Sequence, residues 1–402
     1  MRSSWKVIVL GATLSTAAAF AHVASAQQES EAASAAASTG TSPVALVYVA
    51  STPKNSSTNE ILGFAAASNG KLTPIPGSPF AANVRNMAVN GKYLFAPNNS
   101  TPFIESYRIE SNGTLKFAAQ TDYLKADTSN NCGGGGPVFL DHTGASLYLL
   151  EFNGTVCANN VYESFAVNKS TGGLKYLSYA FGDAFPQLQL PASLIGNNKY
   201  AYIAQYEDLY SGTFVYVRNS NGSLTKLTRS TPTPSSPLSG TTGFCPYQAA
   251  ADPTNHVAFV EQPCSPPGGS SLYPRLAVYT AGSNGSLTTT SSGKNMPTTS
   301  IPFVSALSMA PSGKLLAVGG TGGLQIFHFN GASPITKYTG LLTTARIDNL
   351  YWDKSNHLYA TSNSAGKLYV FTITPTSHSE ASGSPYTVSK PVGLIVQPAP
   401  WY

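Results

Sequence analysis

The sequence predicts an all-β protein, a seven-bladed β-propeller of four-stranded antiparallel blades closed by its own C-terminal strand. Three observations predict it. Short strand-like segments recur seven times, Asn-Gly or Gly-Gly turns recur at a fixed place after them, and one inner segment missing at the start of the chain turns up at its end. Composition agrees, since only 10% of the 402 residues are charged while 36 glycines, 28 prolines and 22 tyrosines supply turns and strands.

The N-terminal residues stand apart. Residues 1–26 carry Arg2 and Lys6, then an apolar stretch, then Ala24-Ser25-Ala26, which is the pattern of a secretory signal and its cleavage site. Residues 27–43, QQESEAASAAASTGTSP, are low in complexity and read as a disordered leader, leaving 44–400 for the propeller. The apolar stretch is short, and no later one approaches the roughly 20 apolar residues of a membrane span. The protein is expected to be exported, periplasmic or extracellular, and monomeric. Losing Arg2 and Lys6 lowers the formal net charge from +5 to +3 with no clustered basic face, so no nucleic-acid partner is expected.

From residue 44 onward the elements repeat. We name the strands of each blade a to d from the axis outward. Strand b is read in LVYVAS, KYLFAP, SLYLLEF, KYAYIAQ, HVAFVEQ, KLLAVGG and HLYATS. Strand c follows in EILGFAA, FIESYRI, VYESFAV, TFVYVRN, RLAVYTA, LQIFHF and KLYVFTI. A turn such as SNGKL, SNGTL, TGGLK or SNGSL leads to strand d, and only the last repeat lacks it. Strand a precedes strand b in VRNMAV, PVFLD, LPASLIG, YQAAAD, VSALSM and IDNLYW, and PVGLIVQP at 391–398 supplies the one that the first blade lacks. Such closure removes an open seam between first and last blades. Asn-x-Ser/Thr sequences such as those at Asn112 and Asn221 fall on the c–d turns and read as turn chemistry rather than glycan acceptors. The tyrosines concentrate on strands b and c, where packing between blades accounts for them.

The LYVA and NGxL units, with GSPF at 77–80 and GSPY at 383–386, resemble the lactonase-type propellers of the 6-phosphogluconolactonase family and the related YVTN-repeat surface proteins. The resemblance covers nearly all of 44–400. It implies a seven-bladed fold and, for active members, a histidine with arginine and glutamate near the central channel. The inner segments PVFLD, YQAAAD and VSALSM show no such histidine. A shared fold does not carry chemistry by itself.

In a meander of this kind the a–b and c–d turns lie at one end and the b–c and d–a connections at the other. The first group is short. The second carries the insertions, including TPKNSSTNE, NGTVCANN and PCSPPGGSSLYPR, so its face is the candidate binding face. Four cysteines allow three pairings. Cys132 with Cys157 and Cys245 with Cys264 are favoured, because each pair flanks an a–b hairpin evenly and export favours oxidation. The four glycines in NCGGGGP, residues 131–137, are not a phosphate loop, because a strand follows them where a Lys-Ser/Thr pair and a helix would be needed. They read as a disulfide-tethered entry into a blade.

Candidate ligand-binding residues on or near inner strands are Arg85, Gln189, Gln248, Arg346 and Asp348, with Glu151, Glu207, Asp208 and Glu261 at the ends of strands b. Arg346 and Asp348, two residues apart, share a face and either pair together or hold an anionic or sugar-like ligand. The bland alternative for each is a solvated or hydrogen-bonded structural role. His142, His256 and His357 fall at a–b turns, and no histidine is placed for a site on the long-loop face. The cysteine and histidine spacings match no zinc site, and no Cys-x-x-Cys-His haem attachment occurs, so neither metal nor cofactor is expected. The sequence therefore points to an exported scaffold binding a carbohydrate, a lactone or a protein on its long-loop face. The alternative is a lactonase-like ester hydrolase with a site rebuilt from arginine and carboxylates.

Overall fold

The computed structural model describes residues 42–123, 135–151, 161–181, 194–197, 199–205, 212–227, 231–264 and 273–398. Residues 1–41, which hold the expected signal and most of the expected leader, and Gly133, Gly134, Cys132, Cys157, Gln189, Glu207 and Asp208 lie outside them. Seven antiparallel sheets form a seven-bladed propeller. In blade 1 strand b is Ala45–Ser51, c is Glu60–Ala66 and d is Leu72–Pro74, while strand a is the C-terminal Pro391–Gln397. That strand pairs with strand b from Leu46↔Gln397 to Ser51↔Pro391, which closes the ring as the sequence predicts.

Blades 2 and 3 take strands a to d from Ala88–Val89, Tyr93–Pro97, Phe103–Ile109 and Leu115–Asp122, then Gly135–Leu140, Ser146–Glu151, Val161–Val167 and Leu174–Phe181. Strand a of blade 3 begins inside the glycine run, so the glycines do lead into a strand. Blade 4 has Ile195–Gly196, Tyr200–Gln205, Gly212–Arg218 and Leu224–Leu227, and blade 5 has Gly243–Ala251, His256–Cys264, Arg275–Ala281 and Leu287–Thr288. Blade 6 has Phe303–Met309, Leu315–Thr321, Gly323–Asn330 and Ser333–Thr343, and blade 7 has Asn349–Trp352, His357–Ser362, Lys367–Ile373 and His378–Glu380. Cys245 and Cys264 form the disulfide expected between strands a and b of blade 5, with Cα atoms 5.7 Å apart.

Alternation along strands b and c gives each blade two apolar faces, and each junction between neighbouring blades holds one buried cluster. A second device ties the junctions together. The Tyr48 hydroxyl of strand b donates to the Gly113 carbonyl in the c–d turn of the next blade, at 2.7 Å. Tyr93 does the same to Ser170 at 2.6 Å and Tyr200 to Ser283 at 3.2 Å. A buried phenol thereby finds its partner, and a turn is fixed to its neighbour. The turn asparagines serve themselves: Oδ1 of Asn69, Asn112, Asn221 and Asn284 each accepts from the backbone N–H two residues on.

Where strand d leaves its partner, a side chain takes over. The backbone N–H groups of Gly63, Val278, Ile326 and Val370 on strands c donate to hydroxyls of Ser78, Ser291, Thr339 and Ser384. Ser78 and Ser384 are the serines of GSPF and GSPY, so that motif supplies an acceptor to a donor that would otherwise be buried unpaired.

Candidate functional site

Strands a of all seven blades line an axial cavity of about 340 Å³. Its lining is layered. Aligning the a–b pairs places Gln248, opposite Val260, and Asn349, opposite Thr361, at one level toward the long-loop face. Asn86 lies two residues before Ala88 in blade 2 and reaches the same level. Arg85 and Asp348 line the cavity one residue further out. Below this polar layer the lining is mainly apolar, with Val138, Leu194, Ala250, Leu350 and Leu394 among its residues. At the a–b end it becomes polar again, with Asp141, His142 and Arg218.

The upper polar groups differ in how far they are committed. Asp348 is engaged, since Oδ1 accepts from Arg346 Nε at 2.9 Å and Oδ2 accepts from the Asn363 N–H at 2.8 Å. Arg346 therefore pairs with Asp348, one of the two readings its spacing allowed, and it lies off the cavity lining. Asn349 donates to the Thr361 hydroxyl at 3.1 Å. Gln248 is only 4% exposed, and its Nε2 is buried with no partner. It sits at the bulge in strand a of blade 5, where the register slips between Pro246 and Gln248. Gly393 of the closing strand faces the Arg85 backbone so closely that a Cβ there would lie 1.8 Å from the Arg85 carbonyl oxygen. Only glycine fits that approach.

Glu151 and Glu261 do not line the cavity. Both are buried between blades, because each shares its pleat with core residues of strand b: Leu147 and Leu149 for Glu151, Val257 and Phe259 for Glu261. Glu261 accepts from the Tyr279 hydroxyl at 2.8 Å. Burial raises its carboxyl to about 7, with the Tyr279 hydrogen bond opposing.

His142 does lie at an a–b turn, yet it lines the same axial cavity, because the channel runs through to that end. Burial, and then the Arg218 charge, lower its imidazole to about 4, with Asp141 pulling the other way, so the ring is neutral at neutral pH. Asp141 itself is occupied by the turn, accepting from the Ala145 and Ser146 N–H groups and the Thr143 hydroxyl. Arg218 was not singled out from the sequence. It ends strand c of blade 4, is 7% exposed, donates Nε to the Asn197 carbonyl at 3.1 Å, and lies 5.0 Å over the Tyr148 ring. Its Nη1 is buried without a partner. Among the described residues, no group of three or more His, Cys, Asp or Glu is arranged to hold a metal ion.

With the geometry in place, comparison with solved structures is informative about fold. The periplasmic gluconolactonase of Pseudomonas aeruginosa matches with a TM-score of 0.63 at 15% identity, over 88% of this chain and 98% of that one. A candidate 6-phosphogluconolactonase of Bacteroides fragilis matches at 0.63 and 13% identity, over 88% and 97%. A Lactobacillus plantarum protein matches at 0.63 and 14%, over 88% and 99%. This chain has the fold of the lactonase-type propellers. No family model matches the sequence, and no curated protein matches it. At such identities the likeness reaches the fold and stops short of the residues in the channel.

Proposed function

We propose that this protein is an exported ligand-binding propeller that takes a small polar, sugar-like molecule at the long-loop end of its axial cavity. The observation that carries this reading is Gln248. A buried amide N–H without an acceptor costs about 1–3 kcal/mol, and an acceptor entering the cavity would recover it. Asn86 and Arg85 of blade 2 line the same end of the cavity from another side, giving donors suited to hydroxyl and carbonyl oxygens. Export is supported by the oxidised Cys245–Cys264 pair. Calorimetric titration of the mature protein with a panel of sugars, sugar acids and lactones tests the reading. We expect one class to bind, and Gln248→Ala to weaken it roughly tenfold. Affinity untouched by Gln248→Ala and Arg85→Ala alike would place the ligand elsewhere.

Hydrolysis of a lactone is the second reading, favoured by the presence of a neutral imidazole in the cavity. Its protonation argues against it. A general base works best with a pKa near the working pH, whereas His142 is held at about 4 and faces an arginine. The same titration panel, followed at constant pH for acid release, is expected to show no turnover that His142→Ala abolishes.

A further inference from the structure

We infer that the a–b end of the axial cavity is an oxyanion site, in which Arg218 and His142 hold a phosphate or carboxylate group. The repeat itself marks the position. The residue of strand c in register with Arg218 is Ala66, Ile109, Val167, Ala281, Phe329 and Ile373 in the other six blades, each in or packed against an interblade apolar cluster. The matching hydrogen bonds to the start of the b strand fix the equivalence, as in Ile109 N–H to Lys92, Val167 to Ala145 and Arg218 to Lys199. Blade 4 alone places a guanidinium there.

A second exception falls at the same junction. The register-equivalent position near the start of strand b is Leu46, Tyr93, Tyr200, His256, Leu315 and His357 elsewhere and Ser146 in blade 3, and at all but Leu315 it lies against a glycine of the next blade's c–d turn. The smallest residue of the ring thus sits two positions from Tyr148, whose face carries the Arg218 guanidinium. Two departures from a seven-fold pattern at one junction are economically explained by one purpose.

The electrostatics are incomplete without an anion. A buried charge is costly unless it is paired. The Tyr148 ring offsets only part of that cost, and the Asn197 carbonyl satisfies only Nε. No carboxylate of the described residues forms an ion pair with Arg218, and Asp141, the nearest acid in the turn, is committed to three donors. An oxyanion accepting from Nη1 and from a ring N–H of His142 would complete the set, since guanidinium binds phosphate and carboxylate through parallel donors. Residue 218's site is also separate from Gln248. Five strand residues at roughly 3.3 Å each put the two polar ends about 16 Å apart, too far for one small anion to touch both.

The test is calorimetric titration of the mature protein at constant ionic strength, with inorganic phosphate in one arm and acetate in the other. We expect one-to-one binding in at least one arm, and the arm that binds identifies the group. Arg218→Gln and His142→Ala should each weaken it, the former by at least roughly tenfold, while Arg108→Ala, which removes an exposed guanidinium off the cavity lining, leaves it unchanged. Should Arg218→Gln fail to fold, His142→Ala, at an exposed-edged turn, still decides. Absence of binding in both arms, undiminished affinity in the two variants, or loss in Arg108→Ala would overturn the assignment. A failure of the Gln248 site to bind sugars would leave this result intact, because its variants and ligands differ.

Discussion

Glu261 and His142 show how a single buried group ties stability to pH, in opposite senses. An unfolded glutamate titrates at 4.5, and Glu261 in the fold titrates at about 7. Between those values the folded protein keeps a proton that the unfolded chain has lost, so stability is highest at the acid end and declines as pH rises to 7. His142 runs the other way. Its pKa falls from 6.5 to about 4 on folding, so between these values the unfolded chain binds the extra proton and stability rises with pH. Glu261→Gln keeps an acceptor for Tyr279 while removing the charge. Chemical denaturation should show it more stable than the parent by about 1–3 kcal/mol above pH 7, with the gain gone near pH 4.5. An equal gain at both pH values would mean that the carboxylate is not what limits stability. Neither residue's environment was legible from spacing alone. Glu261 was read as a strand end near the loop face, and its parity with Val257 and Phe259 turns it into the blade interface. Arg218 was hidden because TFVYVRN was read as one segment among seven, and only a column through all seven strands c exposes it.

At the scale of elements, the c–d turns do more than reverse the chain. Gly172, with φ of +77°, lies against Tyr93 of the preceding blade, so that a Cβ there would meet the ring at 2.6 Å. Gly240, in the connection from blade 4 to blade 5, has φ of +79° and nothing within 4 Å of its Cβ direction. The two differ in contact and not in backbone strain. Gly240→Ala should therefore cost only the left-handed penalty of about 1–2 kcal/mol, and Gly172→Ala should add about 1–3 kcal/mol for overpacking. Urea denaturation of the pair reads the difference directly, and equal midpoints would show that the turn does not bear on its neighbour. The Asn-Gly and Gly-Gly signals made these turns visible in the sequence because φ > 0 restricts the residue type. The interblade contact was not visible, since it joins residues 79 apart. Strands b and c were legible as apolar runs for the same reason that they are buried. Strands a were harder, and those of blades 2 and 4 pair over only two residues, Ala88–Val89 and Ile195–Gly196.

For the whole molecule, everything depends on the ring being closed. The segment PVGLIVQP could be recognised as blade 1's missing strand because its apolar run had no other blade to join. Leu394, Ile395 and Val396 are each nearly fully buried, in the clusters that join blade 1 to blades 7 and 2. At about 1.5–3 kcal/mol per side chain, losing the three removes roughly 5–9 kcal/mol, comparable to the 5–15 kcal/mol that holds a typical protein folded. The same strand presents Gly393 to Arg85 and lines the cavity, so the proposed ligand site is lost with it. Truncation after Lys390 should abolish the cooperative thermal transition and expose strand b of blade 1 as an aggregation-prone edge, seen as loss of the parental peak in size-exclusion chromatography. Moving residues 391–398 to precede Ala45 through a flexible linker restores the pairing without the original terminus, and that permutant should melt cooperatively and elute with the parent. A truncated chain that eluted with the parent and melted at the parental temperature would show that the remaining six blades and three strands hold the ring without closure.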